Sequence, residues 1–394
     1  MDLTRKKQTR LTVGMFLLGI GAFGVFGQTY RTWDNGHSSD DWSQNNNWSS
    51  NNRPNGNTEV ARFSNGNAST TSIDINSNQR TGGMLFDANL TVDITFTRAN
   101  RELSIRNGDA NYGIINNSVR TITFENQTSA EENMTWAATN ASGGGLVFDG
   151  EVDPDGNIIN FDTVNLANFI TINGTISGAG GISKEGEGIL TLTGTNTFTG
   201  TIDVNGGVLS ISSQENLGDL SASSNLTLNG GTLRIDGGTV DNDDNTRVLV
   251  LGAGGGTIDT VAGSDTLIWD NNISGSGDLT KIGAGTFRFD DPTTFTGDLN
   301  INEGTVEFGG GDNRLVDSVD VTIASGATLD VLERSDDFGS LSGAGTLTSS
   351  NSTSEIVGFG LNNTDTEFSG TITEGLNIEK LGSGNMILSG NNTF

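Results

Sequence analysis

The sequence predicts an all-β protein in which short parallel strands stack as the coils of a β-helix, or β-solenoid. Three observations carry this prediction. Runs of 4 to 7 residues place apolar side chains at every second position and lie between Gly, Asn, Asp or Ser turns. One phrase recurs at a nearly fixed spacing, which indicates stacked repeats. No segment of 11 or more residues shows the 3.6-residue periodicity of an amphipathic helix.

The recurring phrase is Ile-Ser-Gly-(Ala/Ser)-Gly, then Lys-x-Gly-x-Gly, a short apolar run and Thr-Phe-Thr-Gly. The marker lysines are Lys184, Lys281 and Lys380, with spacings of 281 − 184 = 97 and 380 − 281 = 99. The three copies cover about 176–212, 273–309 and 372–394, and the last is truncated. Because a coil of three short strands takes roughly 20 to 25 residues at ~3.3 Å per residue, one block should contain four or five coils.

Residues 1–27 are predicted to form a secretory signal peptide. Four basic residues precede the uncharged run Leu11–Gly27, which ends in small residues. An uncleaved membrane anchor is the alternative, but four glycines interrupt the run and its 17 residues are at the lower limit for a membrane span. We expect cleavage after Gly27.

Residues 28–58 form a Trp- and Asn-rich segment, which we expect to cap the first coil. It contains Trp33, Trp42 and Trp48, together with the chain's one histidine, His37. A repeat rod needs its open end covered, and tryptophans bury large apolar areas. The alternative is an aromatic platform that binds sugar. His37 is expected to be a surface residue.

The β-helix itself is predicted for residues 59–394. Its Gly-Gly and Asn-Gly turns also fit antiparallel hairpins, which is the alternative reading of the same strands. If the coils stack, Leu192 and Ile211 face the core, and Asp at either position should unfold the local coils. Asp244→Asn should leave stability nearly unchanged.

The charge of the chain limits its partners. The formal net charge is −28, and removal of the predicted leader leaves 16 − 47 = −31. A surface this acidic repels phosphate backbones and anionic lipid, so no nucleic-acid partner is expected. The chain has no cysteine, so a secreted form depends on its sheets and core for stability.

The repeated phrase resembles the autotransporter-associated β-strand repeat, also called the passenger-associated transport repeat. The residues that carry this resemblance are Lys184, Gly186, Gly188, Phe198 and Gly200, then Lys281, Gly283, Gly285, Phe295 and Gly297, then Lys380, Gly382 and Gly384. The second copy departs from the pattern at Asp290-Asp291-Pro292, where the first has Thr193-Gly194-Thr195, so its corner should be shaped differently.

The resemblance implies a right-handed parallel β-helix in a passenger at the surface of a Gram-negative-type bacterium, or secreted from it. Its repeats are expected to assist export across the outer membrane, with adhesion or matrix contact as the end use. Expected partners are the outer-membrane export machinery or the chain's own C-terminal barrel beyond Phe394, and an extracellular polysaccharide or host surface. A sorting anchor in place of the barrel is an equal alternative.

The alternative function is that of a carbohydrate-active β-helix enzyme, a polysaccharide lyase or glycosidase. Such chemistry needs two carboxyl groups across a cleft. The candidate clusters are Asp241-Asp243-Asp244 with Arg247, Asp290-Asp291, and Asp336-Asp337 with Glu333 and Arg334. Because all lie in Asn/Gly-rich segments, we expect these aspartates to serve turns instead. We expect no catalytic residue, cofactor or dedicated metal site; the Gly/Asp strings at Gly254 and Gly309 lack a calcium-binding nonapeptide repeat, and incidental Ca²⁺ binding is the alternative left open there.

Overall fold

The structure is a computed structural model, and it describes residues 29–36, 39–64, 71–106, 112–221, 224–242, 246–351, 355–373 and 375–394. The predicted signal peptide, His37 and the pair Asp243-Asp244 lie outside the described residues. Within them the chain is built from short strands and three one-turn 3₁₀ segments, Asn45–Asn47, Ser49–Asn51 and Gln214–Leu217. Over these residues no helix is both long and apolar enough to cross a membrane.

The strands follow one another along the chain with short corners between them. In the first half they are β1 (Thr29–Thr32), β2 (Glu59–Phe63), β3 (Ser72–Asp74), β4 (Gln79–Thr81), β5 (Gly83–Phe86), β6 (Ile94–Thr97), β7 (Glu102–Ile105), β8 (Tyr112–Asn116), β9 (Thr121–Phe124), β10 (Gln127–Ala130), β11 (Met134–Ala138), β12 (Gly144–Phe148), β13 (Val152–Asp153), β14 (Ile158–Thr163), β15 (Asn168–Ile172), β16 (Gly181–Glu185), β17 (Ile189–Leu192), β18 (Ile202–Val204), β19 (Val208–Ile211) and β20 (Leu226–Leu228).

The second half continues in the same way. Its strands are β21 (Thr232–Ile235), β22 (Thr239–Asp241), β23 (Leu249–Leu251), β24 (Gly256–Thr260), β25 (Thr266–Trp269), β26 (Ile273–Gly275), β27 (Leu279–Ile282), β28 (Thr286–Phe289), β29 (Leu299–Ile301), β30 (Thr305–Phe308), β31 (Asp320–Ile323), β32 (Thr328–Asp330), β33 (Asp336–Phe338), β34 (Ser340–Gly343), β35 (Thr346–Thr348), β36 (Glu355–Phe359), β37 (Thr366–Phe368), β38 (Thr371–Ile372), β39 (Leu376–Lys380) and β40 (Met386–Leu388).

The strands form three faces of one parallel β-solenoid. Face 1 is the 11-stranded sheet from β1 to β26, and the 3-stranded sheet β33-β36-β39 takes its place farther along the chain. Face 2 is a 15-stranded sheet that runs from β3 to β40. Face 3 begins as the 4-stranded sheet of β4, β7, β10 and β13 and continues as a 7-stranded sheet from β22 to β38. The chain visits the faces in the order 1, 2, 3.

Every pairing between the described strands is parallel, so the predicted β-helix is confirmed and the hairpin alternative is wrong. Register fixes the coil length. Ile182 pairs with Ile202, which pairs with Leu226, so consecutive coils take 202 − 182 = 20 and 226 − 202 = 24 residues. These lengths agree with the coil size expected from the sequence.

The core is a set of apolar columns that run along the solenoid. On face 2, Ile170, Leu190, Leu209, Leu233 and Ile258 are successive register partners, and each is fully buried. Alternation places every second side chain on this inner surface. The predicted core positions Leu192 and Ile211 are 0% and 1% exposed.

The three tryptophans of the N-terminal segment pack together over the first coils. Trp33 and Trp42 each contact Trp48 edge-on, with ring centroids 5.1 and 4.7 Å from it, and all three are almost completely buried. Trp48 also contacts Phe63, at 5.9 Å, and its Nε1 donates to the carbonyl of Trp42. The predicted cap segment also contains β1, which pairs with β2. Strand pairing on face 1 therefore begins inside that segment.

Candidate functional site: the lysine corner

The marker lysine lies in the core, not on the surface. Lys184 is 1% exposed and Lys281 is 0% exposed. Each occupies an inward position of its strand: Lys184 lies in register between Phe161 and Val204, and Lys281 lies between Ile258 and Ile301. A cation in an apolar column requires compensation, because burial of an unpaired charge is very costly.

Backbone carbonyls at the corner supply that compensation. The Nζ of Lys184 donates to the carbonyls of Glu185 (2.6 Å), Gly186 (3.0 Å) and Gly206 (3.1 Å). An ammonium has three donors, so all of them are used. The first two acceptors belong to the lysine's own corner, whereas Gly206 lies in the next coil. The side chain therefore bridges two consecutive coils.

The second copy repeats this arrangement. The Nζ of Lys281 donates to the carbonyls of Ile282 (2.7 Å), Gly283 (2.8 Å) and Glu303 (3.3 Å), and Glu303 lies one coil farther along. We call this arrangement, a buried lysine with two carbonyls of its own corner and one of the next coil, the lysine clamp. Lys380 of the third copy is exposed, and its Nζ donates to the carbonyls of Leu381 and Gly382.

Two sets of glycines make the clamp fit. Gly186, Gly283 and Gly382 have φ of +72°, +78° and +60°, so they turn the chain in the left-handed region that side chains disfavour. In the next coil, a Cβ on Gly207 would lie 2.7 Å from the Lys184 Nζ, and one on Gly304 would lie 2.9 Å from the Lys281 Nζ. The absence of a side chain there leaves room for the ammonium.

The remaining motif residues pack the coils closely. A Cβ on Gly188, Gly285 or Gly384 would overlap a carbonyl oxygen of the preceding coil, and so would one on Gly200 or Gly297. Phe198 and Phe295 are fully buried. The structure therefore places the predicted residues of the first two copies in equivalent structural positions.

Acidic residues face both clamps. Burial lowers the pKa of Lys184 to about 8, although the charges of Asp162 and Glu185 act in the opposite direction. Burial likewise lowers the pKa of Lys281 to about 8, opposed by Asp259 and Glu303. The pKa of Asp162 is raised, chiefly by its own burial. At neutral pH both lysines hold their proton, which the three carbonyl acceptors require.

The clamps do not occupy the same edge of the solenoid. Lys184 is the penultimate residue of β16 on face 1, so its clamp lies at the corner between faces 1 and 2. Lys281 is in β27 on face 2, so its clamp lies at the corner between faces 2 and 3. The 97 residues between them span four coils and one additional face. The spacing between the two motif copies is therefore not a whole number of coils. The clamp depends only on its own corner and the next coil, so it forms at either corner.

One aspartate in each of two clusters considered for catalysis has structural partners. Asp336 is 1% exposed, and its Oδ2 accepts hydrogen bonds from the backbone amides of Arg314 and Leu315. The expectation that Asp336 serves a turn is therefore wrong, because it begins β33. Burial raises its pKa to about 7. Asp290 accepts two bonds from Arg288, at 2.6 and 3.0 Å.

In the first candidate cluster, Arg247 is buried and its Nη1 donates to the backbone carbonyl and hydroxyl of Ser224. Burial lowers the pKa of Arg247 to about 10. Among the described residues, no group of three or more His, Cys, Asp or Glu side chains is arranged to hold a metal ion.

Comparison with known proteins agrees with this geometry. The passenger-associated transport repeat matches residues 182–211, 279–308 and 378–394, which contain the three marker lysines. The chain carries passenger-associated transport repeats. The first two matched segments extend from the clamp strand through the coil that supplies the third acceptor.

A relative also supports the assignment of passenger-associated transport repeats to this chain. The chain is 35% identical over 189 residues, 47% of its length, to the adhesin BmaC autotransporter of Brucella suis biovar 1 (strain 1330). The matched part is 5% of that adhesin's length. No solved structure matches. The repeats, the β-solenoid and the relative together support an autotransporter passenger located at the cell surface or secreted.

Proposed function

We propose that this chain is a structural part of a surface passenger, that its solenoid presents corners and loops for adhesion, and that its lysine clamps assist export. The clamp is the observation that carries the export proposal. A lysine in one coil completes its hydrogen bonds only when the next coil supplies Gly206 or Glu303 as acceptor. Coils of a repeat rod contact only their neighbours, so folding can advance coil by coil.

Export through an outer-membrane barrel fits this order of folding. Each coil that closes outside the membrane would hold the preceding ammonium and oppose backward movement of the chain. The partners in this proposal are the export machinery and a C-terminal barrel. The partner at the adhesion end is a polysaccharide or a host or matrix surface, as the relative's designation as an adhesin suggests.

The test is export of the chain fused to an autotransporter barrel in a Gram-negative host. We expect Lys184→Met with Lys281→Met to slow the appearance of protease-accessible chain at the cell surface. Leu233→Ala, which should cost about 2–5 kcal/mol, serves as a control without a clamp role, since Leu233 is buried on face 2 and supplies no hydrogen bond to either clamp. Equal export of the double lysine variant and the parent would contradict the proposal. Slowing equal to that of Leu233→Ala would contradict a specific role for the clamps.

Adhesion is tested separately with cells that display the chain. We expect them to bind host cells or matrix-coated surfaces more than cells that display the barrel alone. Equal binding by the two strains would overturn the adhesive role and leave the export role standing.

We further propose that the chain acts without catalysis. The contacts of Asp290 with Arg288, and of Asp336 with two backbone amides, support structural roles for these carboxylates. The check is an assay for reducing sugar and unsaturated product on a panel of polysaccharides. Turnover that Asp336→Asn abolishes would establish the enzymatic alternative.

A further inference from the structure

The second copy departs from the repeat pattern at Asp290-Asp291-Pro292, and a surface pocket lies beside this departure. The pocket has a volume of about 150 Å³ and lies at the corner between faces 3 and 1. Four consecutive coils line it, with Arg288 from the first, Gly309 and Gly310 from the second, Leu332 to Arg334 from the third and Asn351 from the fourth. We call it the arginine pocket.

Glycines in the middle coil produce the depression. A Cβ on Gly309 would overlap the Asp290 carboxylate and come within 2.7 Å of the Arg288 guanidinium. Gly310 has φ +68°, a conformation that side chains disfavour. The pair Gly309-Gly310, which has no side chains, therefore lies between two coils that each carry an arginine, and ligand atoms can approach its backbone.

The two arginines differ in their charge compensation. Arg288 is held by both carboxylate oxygens of Asp290. Arg334 makes one hydrogen bond, from Nη1 to the carbonyl of Glu333 at 3.0 Å. Its Nη2 is accessible and makes no hydrogen bond with the described residues, and no described carboxylate forms a salt bridge with Arg334. Arg334 therefore has donors and a positive charge to offer a ligand.

We propose that the arginine pocket binds the carboxylate of a terminal acidic sugar on a surface glycan. A guanidinium is well suited to bind a carboxylate with two parallel hydrogen bonds. Glu333 and Asn351 at the rim supply an acceptor and an amide for sugar hydroxyls. This inference deepens the adhesive part of the proposed function by naming a site and a ligand class.

The size and charge of the protein restrict the ligand further. The pocket is smaller than the roughly 300 Å³ at which ordinary small-molecule sites begin, so it accepts one sugar unit of a longer chain. The net charge of −28 repels a polyanion such as a continuous uronate polymer. A glycan with one carboxylate at its end carries a single charge and meets much less of that repulsion.

The experiment measures binding of sialyllactose and lactose to the full chain by calorimetry or ligand-observed NMR. The two sugars differ by the terminal acidic unit, so we expect sialyllactose to bind and lactose to bind at least tenfold more weakly. Arg334→Gln should weaken sialyllactose binding at least tenfold. The control is Arg234→Gln, because Arg234 is similarly exposed but pairs with Asp259 on face 2.

Measurable binding of both sugars with equal affinity, or no loss of acid binding with Arg334→Gln, would overturn the proposal. A disaccharide that ends in glucuronate forms a second arm. Binding of glucuronate but not of sialyllactose identifies a uronate as the source of the carboxylate and supports the site, whereas binding of neither acid refutes it. If cells that display the chain adhere while neither acid binds, the pocket inference fails and the adhesive function stands. If the acids bind through Arg334 and the cells do not adhere, the pocket inference stands and the adhesive function fails.

Discussion

The first two repeat copies share a clamp and differ in their surroundings. Lys184 and Lys281 make equivalent hydrogen bonds, with two carbonyls of their own corner and one of the next coil. Their strands lie on different faces of the solenoid. The two copies differ at the corner that follows. In the first copy, Gly194 has no Cβ and packs closely onto the carbonyl of Gly174. In the second copy, the Arg288–Asp290 ion pair lies there, beside the arginine pocket. The clamp is therefore a local unit that two different corners of the solenoid host, and the corner that follows it differs between the copies.

The largest expected effect comes from charge in the core of either copy. Leu192→Asp and Phe289→Asp change equivalent positions, 97 residues apart, and both side chains are fully buried. Each should cost more than about 4 kcal/mol, because the carboxylate is buried without a partner. Urea unfolding followed by circular dichroism measures the loss. Thr191→Asp on the outward side of β17 is the control and should cost less than about 1 kcal/mol. A small loss at only one copy would show that the two cores are not equivalent.

Removal of the clamp should come next in size. Lys184→Met and Lys281→Met each leave three carbonyls without their donor, and we expect a loss of about 2–4 kcal/mol in the free energy of unfolding. The two losses should agree within about 1 kcal/mol despite the different corners. Lys380→Met is the matched control, because Lys380 is exposed and should cost less than about 0.5 kcal/mol. Unequal losses at the first two copies would show that the adjacent corner contributes to the clamp.

The glycine opposite the ammonium should tolerate no methyl group. Gly207→Ala and Gly304→Ala place a Cβ near Nζ and at positive φ, of +58° and +67°, so each should cost about 1–3 kcal/mol. Thermal or urea unfolding measures the change. Gly263→Ala is the control, because the closest atom to its Cβ lies at 4.0 Å, and this substitution should be neutral or slightly stabilising. A neutral Gly207→Ala would mean that the corner adapts more freely than the structure indicates.

Both clamps should show the same dependence on pH. The folded pKa of each lysine is about 8, against 10.5 for an ordinary lysine. Between these values the unfolded chain binds a proton that the folded chain has released, so stability relative to the Met variant rises with pH. The slope should reach about 1.4 kcal/mol per pH unit for each lysine and vanish below pH 8. Urea unfolding of the parent and the Met variants from pH 7 to pH 9.5 tests the sign of this slope. A stability difference between parent and variant that falls as the pH rises would contradict it.

The smallest effect is expected at the corner that distinguishes the copies. Arg288→Gln breaks the pair with Asp290, but the Arg288 side chain is 35% exposed, so the loss should be below about 1 kcal/mol. Urea unfolding of this variant is compared with that of Thr191→Gln, the equivalent outward position of the first copy. A loss as large as that of the clamp variants would assign this ion pair a role in folding.

Much of the fold could be predicted because alternation and turn chemistry are local properties of the sequence. The inward side of strands such as β17 and β19, and the parallel winding, followed from period-two patterns between glycine corners. The face on which each strand lies could not be predicted. It depends on the sum of coil lengths, which include both 209 − 190 = 19 residues and 114 − 84 = 30 residues, and an uncertainty of a few residues per corner accumulates over four coils.

The candidate site was predicted as a motif and not as a clamp. Lys184 and Lys281 stand two residues after Ile182 and Leu279, at the inward positions of their strands, and this parity was the signal that could have revealed their burial. The third acceptor comes from a coil about 20 residues farther along, which only the structure brings into contact. Asp336 was misassigned for a similar reason, since a strand begins inside an Asp-rich segment that resembles a turn.

Hydrogen exchange of the backbone amides in the parent and the two lysine variants tests most directly whether each lysine fastens one coil to the next. Lys184→Met should reduce protection at least tenfold in β18 and β19, the coil that receives the clamp, and leave β29 and β30 unchanged. Lys281→Met should give the reverse pattern. Unchanged exchange in the receiving coil, or a uniform increase along the whole solenoid in both variants, would contradict the account.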